Sequence, residues 1–391
     1  MSVTKTYEEI NAKIRQGKAV VVTAEEIIPM VEEMGPEKAA QTVDVVTTGT
    51  FGPMCSSGVF LNLGHSDPPI RIKKLWLNDV PAYAGIAAVD AYLGATEEAE
   101  HCGERLYGGA HVIEELLMGK AVRMKAIGTG TDCYPCKEIE GFITLNDINE
   151  AVMMNPRNAY QNYAAAVNST DRPLYTYMGI LLPRLGNITY STAGALSPLL
   201  NDPEYRTIGV GTRIFLGGAA GYVAWHGTQH NPNRDRSENG VPVGPAGTLS
   251  VIGNLKEMSP EYIKAAVYER YGVSMFVGIG LPIPVLDADM AARLAVKDED
   301  IHTWLIDYGV PARNRPALAK VSYAQLKSGY IELNGRKVPT APLSSLKTAR
   351  KIATLLKERI QQGRFFLQEP AEPLPRHTQG VHPMNVRGSV E

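Results

Sequence analysis

The chain has 391 residues, enough for one large α/β core or two closely packed subdomains, and its 44% hydrophobic and 20% charged residues are ordinary for a globular protein. The formal net charge of −2, without any block of Lys or Arg, excludes an extended nucleic-acid surface. The N-terminus lacks the apolar core of a secretory signal, and the apolar run 275–286 is shorter than the ~18 residues that a membrane span needs. We therefore expect a cytoplasmic protein.

Helix and strand signals alternate through the first third of the chain. The sequence T-Y-E-E at residues 6–9 is a capping box, in which a hydroxyl and a glutamate satisfy free N–H groups at a helix start. The short apolar runs 19–22, 43–48 and 122–127 predict buried strands. Glycine-rich loops follow the last two of these runs, and such loops are where α/β proteins tend to place their chemistry.

Three further signals lie in the last third of the chain. The sequence S-P-E at residues 259–261 predicts a helix start, with an N-cap serine and a first-turn proline. The pair Asn334-Gly335 predicts a hairpin turn between two short strands. An apolar stripe along residues 344–362 predicts a helix, which Gly363 ends.

An apolar pair followed by Gly-x-Gly occurs three times, in residues 126–130, 207–212 and 276–280. We predict an α/β fold in which glycine-rich loops from several strands converge on one rim, built as a single large core or as two intimately packed subdomains.

The four cysteines are the main candidates for chemistry, because cysteines of a reducing compartment are thiols, metal or cluster ligands, or redox groups more often than structural bridges. Cys133 and Cys136 form a C-x-x-C, a spacing that serves disulfide exchange, metal binding and cluster ligation alike. No second ligand pair for zinc is present, and residues 138–145 do not predict the helix that thioredoxin-type chemistry expects. A catalytic thiol, or a cluster held by few cysteines, remains.

Two of these positions favour an accessible sulfur. Cys55, in G-P-M-C-S-S-G, and Cys133, in G-T-G-T-D-C-Y-P, both lie in loops of small residues whose N–H groups can stabilise a thiolate. Cys136 is compatible with either a catalytic or a structural role. Cys102 is expected to be a small buried residue in a helical segment.

Two histidines lie in the run G-G-A-A-G-Y-V-A-W-H-G-T-Q-H-N-P. His226 and His230 would share one face of a helix, but Gly227 and Pro232 make a continuous helix doubtful, so a metal pair is not favoured. Hydrogen-bond or proton donors to a substrate fit better, and ordinary loop histidines are the competing interpretation.

Taken together, five motifs in this order resemble the homocysteine-biosynthesis, sulfur-incorporation family over residues 7–365. They are G-P-M-C-S-S-G, Y-G-G-A-H-V-I-E-E-L, G-T-G-T-D-C-Y-P, A-G-A-L-S-P-L-L and the two-histidine run. The resemblance implies L-aspartate semialdehyde sulfurtransferase activity, which yields homocysteine from the semialdehyde and a sulfide equivalent. The proline-rich, mostly polar stretch beyond Gln368 has no periodicity, so we expect a catalytic domain over residues 1–367 and an extended or disordered tail over 368–391.

The resemblance implies roles for individual residues. Cys133 matches the family cysteine proposed to hold a persulfide, and Cys55 matches the second family cysteine, which we expect to resolve it. Cys136 matches no position that the family requires. The substrate also needs orienting groups, for which Arg213, Arg172, His226 and His230 are candidates, since Arg binds carboxylates bidentately.

Longer family members carry regulatory modules and a ferredoxin-like domain, and we expect this chain to act without them, because it has no cluster-binding cysteine series of its own. Electrons are therefore expected from a separate ferredoxin-like iron–sulfur protein, and a homodimer is the expected assembly. Two alternatives stay open. One is a 4Fe–4S cluster, held in this chain by Cys55, Cys133 and Cys136 or carried by a partner protein. The other is a carrier subunit that passes sulfur or iron on without turnover.

Overall fold

The computed structural model describes residues 3–101, 103 and 106–384. The α-helices of this part are α1 (Tyr7–Arg15), α2 (Ile27–Thr42), α3 (Gly109–Leu117), α4 (Pro198–Asn201), α5 (Ala288–Leu294), α6 (Tyr323–Lys327) and α7 (Leu346–Gln361). The strands of the first half are β1 (Val21–Thr23), β2 (Val45–Thr47), β3 (Thr50–Pro53), β4 (Gly58–Asn62), β5 (Ile72–Leu77), β6 (Val80–Ala82), β7 (Asp90–Gly94), β8 (Val122–Gly128), β9 (Glu138–Ile143), β10 (Glu150–Asn158), β11 (Ala165–Val167), β12 (Leu174–Thr176), β13 (Gly179–Leu181) and β14 (Ile188–Tyr190). Those of the second half are β15 (Gly209–Val210), β16 (Arg213–Leu216), β17 (Ala219–His226), β18 (Leu249–Asn254), β19 (Ile263–Tyr268), β20 (Gly272–Gly280), β21 (Pro282–Pro284), β22 (His302–Asp307), β23 (Ala317–Ser322), β24 (Tyr330–Leu333), β25 (Arg336–Pro342) and β26 (Glu372–Pro373).

The largest sheet has nine strands and is antiparallel throughout. Its path is β19-β20-β16-β17-β18-β10-β4-β7, and β3 pairs with β20 off this path. A mixed six-stranded sheet runs β23-β22-β11-β14-β25-β24, with β11–β22 and β14–β25 parallel. A four-stranded antiparallel sheet, β6-β5-β8-β9, carries the loop after β8. The α/β class predicted from the sequence is confirmed.

Helix α7 packs across the strands that lead to Cys55. Its buried side chains recur at the spacing of one helix face: Ala349, Ile352, Ala353, Leu356 and Ile360. They meet β1, β2, β3 and β20. Ser345 caps the helix by accepting a hydrogen bond from the N–H of Thr348, and Gly363, with φ +67°, follows its end. This helix is the one predicted from the stripe at 344–362.

Other local predictions had mixed outcomes. The capping box at Thr6 and the strands β1 and β2 are confirmed. The turn at Asn334-Gly335 is confirmed as well, because both residues have positive φ and join β24 to β25. The helix predicted at 259–261 is wrong, since these residues form a turn into β19, whose six residues pair with β20. Cys102 lies outside the described residues.

The three Gly-x-Gly segments lie in three different sheets. Gly128 ends β8 in the four-stranded sheet, Gly209 belongs to the pair β15–β26, and Gly278 and Gly280 belong to β20 of the nine-stranded sheet. In the described part of the chain, no helix is both long and apolar enough to cross a membrane.

The segment after α7 runs extended over the body as far as residue 384. Glu372–Pro373 pairs with Gly209–Val210, and Leu374 is buried in the main core. The carbonyl of Pro375 is 3.1 Å from His230 Nε2, and Asn233 donates to the carbonyl of Thr378. Specific contacts therefore hold this part of the tail against the fold.

Candidate active site

A cavity of about 320 Å³ lies beside the turn that carries Cys55. Its wall is formed by Thr50, Gly52, Pro53, Met54, Cys55, Ser56, Arg157, Ala159, Tyr160, Tyr163, Tyr177, Met178, Ser191, Thr192, Ser197, Pro198, Gln229, Tyr271, Leu343 and Ser344. A second cavity of about 260 Å³ shares Cys55, Ser56, Arg157 and Tyr271 with the first. The two cavities therefore meet at this cysteine, and the first has a volume typical of small-molecule sites.

The Cys55 turn is fixed between β3 and β4. The N–H of Met54 donates to the carbonyl of Met275 at 2.7 Å, and the hydroxyl of Ser57 donates to the carbonyl of Met54 at 2.8 Å. Cys55 Sγ lies 3.1 Å from the hydroxyl of Ser274, which is fully buried on β20. The sulfur is thus half-buried and held against the wall at the junction of the cavities.

Arg157 reaches the same junction because β10 is irregular at its end. The register of β10 against β18 shifts between Asn155 and Asn158, where Pro156 has no N–H to give to the ladder. The carboxamide oxygen of the fully buried Asn155 accepts from the hydroxyl of Ser56 at 2.9 Å and from the N–H of Arg157 at 2.8 Å. One amide therefore ties the cysteine turn to the segment that presents the arginine.

Negative charge on Cys55 raises the pKa of three nearby tyrosines. Burial raises the pKa of Tyr160 to about 12, partly opposed by the positive charge of Arg157, and negative charge on Cys55 raises it further. Burial, followed by charge on Cys55, also raises the pKa of Tyr268 and of Tyr271. The hydroxyl of Tyr268 is buried without a hydrogen-bond partner among the described residues. These phenols stay protonated at neutral pH and surround the sulfur with neutral, largely apolar rings.

A second group of tyrosines lies along the same cavity. Tyr163 donates its hydroxyl hydrogen to Tyr177 Oη at 3.2 Å, and the hydroxyls of Tyr177 and Tyr308 are 2.8 Å apart. Burial, followed by charge on Tyr177, raises the pKa of both Tyr163 and Tyr308. Three chain segments thus bring their phenols together at one point.

Cys133 lies elsewhere, in an exposed turn after β8 of the four-stranded sheet. Backbone hydrogen bonds between Thr131 and Tyr134, in both directions, close the turn. The ring of Tyr134 stacks on His65, with ring centroids 5.5 Å apart. No residue of 128–137 lines either cavity at Cys55.

Cys136 is half-buried beside the same turn. Its thiol donates to the carbonyl of Glu138 at 3.5 Å, and its backbone bridges to Ile70. Within residues 3–101, 103 and 106–384, no three His, Cys, Asp or Glu side chains are grouped so that they could hold a metal ion. The three described cysteines therefore do not form a ligand set for a cluster in this structure.

The two arginines predicted for the substrate lie outside both cavities. The guanidinium of Arg213 packs over the ring of Phe365 at 4.6 Å, and its Nε is buried without a partner in the described part of the chain. Arg172 is exposed, and its carbonyl accepts from the side chains of Asn168 and Thr170. Their assignment to the substrate stays a prediction that these positions do not favour.

His226 is the last residue of β17 and His230 lies in the loop after it, so the two histidines form no helix; their ring centroids are 5.5 Å apart. His230 is buried. Its Nδ1 accepts from the N–H of Thr248 and its Nε2 faces the carbonyl of Pro375, so backbone groups occupy both ring nitrogens. Burial lowers the pKa of both histidines. Neither lines a cavity, although the neighbouring Gln229 does, and their predicted substrate role remains untested by this geometry.

Of the predicted residues, only Cys55 lines the cavities. The missed residues are Arg157 and the tyrosines, which come from segments far apart in sequence. One signal was available: the run N-P-R at 155–157 puts a proline inside a strand, which is typical of a bulge that redirects side chains.

The fold and cavity define an α/β protein with a thiol where two small-molecule cavities meet. The family model described as "Homocysteine biosynthesis enzyme, sulfur-incorporation" matches residues 19–367. The chain belongs to this family.

Two relatives named L-aspartate semialdehyde sulfurtransferase are similar over nearly the whole chain. The protein of Methanosarcina acetivorans is 57% identical over 96% of this chain and 73% of its own length. That of Methanocaldococcus jannaschii is 54% identical over 96% of this chain and 74% of its own length. An uncharacterized protein of Methanothermobacter thermautotrophicus is 30% identical over 83% of this chain and 72% of its own length. No solved structure matches the chain.

Proposed function

We propose that this chain is a sulfurtransferase that incorporates sulfide-derived sulfur into L-aspartate 4-semialdehyde and so forms homocysteine. Cys133 carries the sulfur as a persulfide, and Cys55 is the thiol that resolves it. The observation that carries the proposal is the half-buried Cys55 sulfur at the junction of two cavities, in a chain 57% identical to a relative with that activity in its name.

The proposed sulfur transfer begins from a Cys55–Cys133 disulfide. Hydrosulfide attacks Cys133 Sγ and breaks the S–S bond, which gives the Cys133 persulfide and the Cys55 thiolate. The terminal sulfur adds to the aldehyde carbon, and the oxygen takes a proton. Cys55 then attacks Cys133 Sγ, which restores the disulfide and expels the sulfur bound to the substrate.

The expelled species loses water to give a thioaldehyde, and two electrons and two protons reduce it to the thiol of homocysteine. The net reaction consumes the aldehyde, one hydrogen sulfide, two electrons and two protons, and it gives homocysteine and one water. We propose a ferredoxin-like iron–sulfur protein as the electron donor and the cytoplasm as the compartment.

The mechanism requires the two cysteines to meet. A disulfide needs Cα atoms within ~7 Å, whereas Cys133 is exposed on a different sheet from Cys55. Either the turn after β8 moves to the cavity, or a second copy of the chain in a homodimer presents it. Exposure suits the loading step, since it lets Cys133 meet a sulfur source outside the cavity.

Arg157 is the proposed anchor for the substrate's carboxylate. It lies at the junction beside Cys55, and a guanidinium binds a carboxylate through two parallel hydrogen bonds. With the carboxylate at Arg157, the aldehyde of so short a substrate stays within the same cavity. Arg157 thus takes the role that the sequence assigned to Arg213 and Arg172.

The cluster alternative has less support, because the described cysteines do not form a ligand set. The carrier alternative also has less support, since a carrier needs an exposed thiol but no cavity. Iron and labile-sulfide analysis of anaerobically purified protein, before and after Cys133→Ser, distinguishes the cluster from the persulfide.

The decisive experiment incubates the protein with L-aspartate semialdehyde, sulfide and a low-potential ferredoxin, and measures homocysteine. Cys133→Ser should abolish both sulfur loading and turnover. Cys55→Ser should still load sulfur from sulfide plus an oxidant, and mass spectrometry should find the added sulfur on the Cys133 peptide while turnover is lost. Absence of homocysteine from the unmodified protein would overturn the proposed activity, whereas normal turnover by Cys55→Ser would overturn the two-thiol mechanism.

A further inference from the structure

Tyr177 occupies an unusual position in the wall of the first cavity. It lies in the tight turn between β12 and β13, and its hydroxyl oxygen is approached by two other phenols. Tyr163 Oη is 3.2 Å away and Tyr308 Oη is 2.8 Å away. Tyr163 lies between β10 and β11, and Tyr308 directly follows β22, so tertiary structure rather than local sequence assembles the group.

The direction of these hydrogen bonds follows from what the partners can do. Either hydroxyl of the Tyr177–Tyr308 pair can be the donor. We take Tyr308 as the donor, because it has no other acceptor among the described residues, whereas Tyr177 also lines the cavity. Tyr163 donates to the same oxygen. Since Tyr177 accepts from both, its own hydrogen is free to point away from them, and the cavity is the space that it lines.

Tyr177 and Cys55 face the same space. Charge on either group raises the pKa of Tyr160 and of Tyr271, whose rings line the first cavity together with them. The rings of Tyr177 and Tyr271 have centroids 6.1 Å apart. A small molecule in the cavity is therefore in reach of the thiol on one side and of the phenol on the other.

We infer that Tyr177 is the catalytic acid for the carbonyl oxygen of the aldehyde, with Tyr163 and Tyr308 as positioning residues. This inference rests on the proposed function. As sulfur forms its bond to the aldehyde carbon, the C=O pair moves to oxygen, which takes the Tyr177 hydrogen and becomes a hydroxyl. The Tyr177 phenolate is stabilised by its two phenol donors and regains a proton from water.

Tyr177→Phe tests this role in the sulfide-dependent assay. Loss of a donor to a developing oxyanion predicts a fall in kcat of about 100-fold, with KM raised by no more than about fivefold. Tyr163→Phe and Tyr308→Phe each remove one donor to the phenolate and should lower kcat by about tenfold. Tyr175→Phe is the matched control, because Tyr175 lies on β12 under Arg270 and outside the cavity, and it should keep full activity.

A second test distinguishes a catalytic role of Tyr177 from a purely structural one by the pH dependence of kcat. Replacement of Tyr177 by fluorotyrosine, a more acidic phenol, should move the alkaline limb of the kcat profile to lower pH, whereas the same replacement at Tyr175 should not. An unmoved limb, or a Tyr177→Phe variant with normal kcat, overturns the assignment.

Binding separates this inference from the proposed activity. Without sulfide, Tyr177→Phe should bind L-aspartate semialdehyde about fivefold more weakly than the unmodified protein in a calorimetric titration, because a carbonyl hydrogen bond is lost. If the unmodified protein makes no homocysteine but this difference persists, the proposed activity fails and the carbonyl contact stands. Equal affinities overturn the contact whether or not homocysteine is formed.

Discussion

The two cysteine regions of this protein are built in opposite ways. Cys55 lies at the junction of two cavities whose walls come from at least six separate segments, with its sulfur against a fully buried serine. Cys133 lies in an exposed four-residue turn that its own backbone hydrogen bonds close. An enclosed thiol favours chemistry that must exclude water, and an exposed thiol favours exchange with an external donor. The difference is the structural basis for the proposed division of roles, in which Cys133 is loaded with sulfur and Cys55 acts in the transfer.

The largest expected effect on substrate binding comes from replacing Arg157, which lies beside the enclosed Cys55. Arg157→Met should raise KM for L-aspartate semialdehyde about 10- to 100-fold, because charge-assisted hydrogen bonds to the carboxylate are lost. Steady-state kinetics measures this change. Arg350→Met, which breaks an exposed ion pair with Glu25 on the far side of α7, is the control and should leave KM unchanged. A raised KM in Arg213→Met instead would restore the assignment made from the sequence.

Alkylation compares the two thiols directly. In the reduced protein, iodoacetamide should modify Cys133 about tenfold faster than Cys55, since Cys133 is the exposed one of these two thiols. L-aspartate semialdehyde, added without sulfide, should slow modification of Cys55 and leave Cys133 unaffected. Quantitative mass spectrometry of the two peptides measures both rates, and protection of Cys133 alone would contradict the cavity as the substrate site.

The pH dependence of stability should distinguish the regions as well. Burial lowers the pKa of His230, so the unfolded chain takes up a proton that the folded protein resists once the pH falls below ~6.5. The stabilisation is fully present above that pH and is lost as the pH falls toward the lowered folded-state value. Each such proton changes the free energy of unfolding by at most ~1.4 kcal/mol per pH unit.

His230→Gln should therefore show a shallower loss of stability between pH 7 and pH 5 than the unmodified protein, as followed by urea unfolding. The pKa values of His226 and His111 are lowered too, and these histidines contribute the same pH dependence of stability to His230→Gln and to the unmodified protein. His65→Gln, on the ring stacked beside Tyr134, is the control from the Cys133 region. An equal slope in His230→Gln and the unmodified protein would contradict the buried, neutral state of His230.

Cys136→Ser should have the smallest effect, a change in turnover of less than about twofold, because a hydroxyl can still donate to the carbonyl of Glu138. The homocysteine assay measures it. A large loss would make the C-x-x-C a functional pair and would favour the cluster alternative.

The comparison also explains what the sequence predicted well. Helix α7, the strands β1 and β2 and the turn at Asn334-Gly335 follow from signals within a few residues, and all three are seen. Cys55 was found because its loop of small residues is itself a local signal. The helix predicted at 259–261 failed because long-range pairing of β19 with β20 outweighed the capping pattern.

Arg157 and the three-phenol group were not found, since their meaning depends on which distant segments become neighbours. The bulge at Pro156 turns Arg157 toward Cys55. Tyr177 gains its partners from the segment between β10 and β11 and from the residue that follows β22. Arg213 was chosen for its chemistry alone, and only the fold reveals the ring of Phe365 beneath it.

The extended segment of residues 368–384, here called the strap, links the cavity to a part of the chain that a protease can cut. Leu374 is anchored in the core, and the carbonyl of Pro375 holds His230, whose neighbour Gln229 reaches the cavity wall. A cut between α7 and Leu374 should weaken the hold of the Pro375 carbonyl on His230 and so loosen the loop that carries Gln229. Limited proteolysis of this strap, measured with and without the semialdehyde, should therefore report whether the first cavity, which Gln229 lines, is occupied.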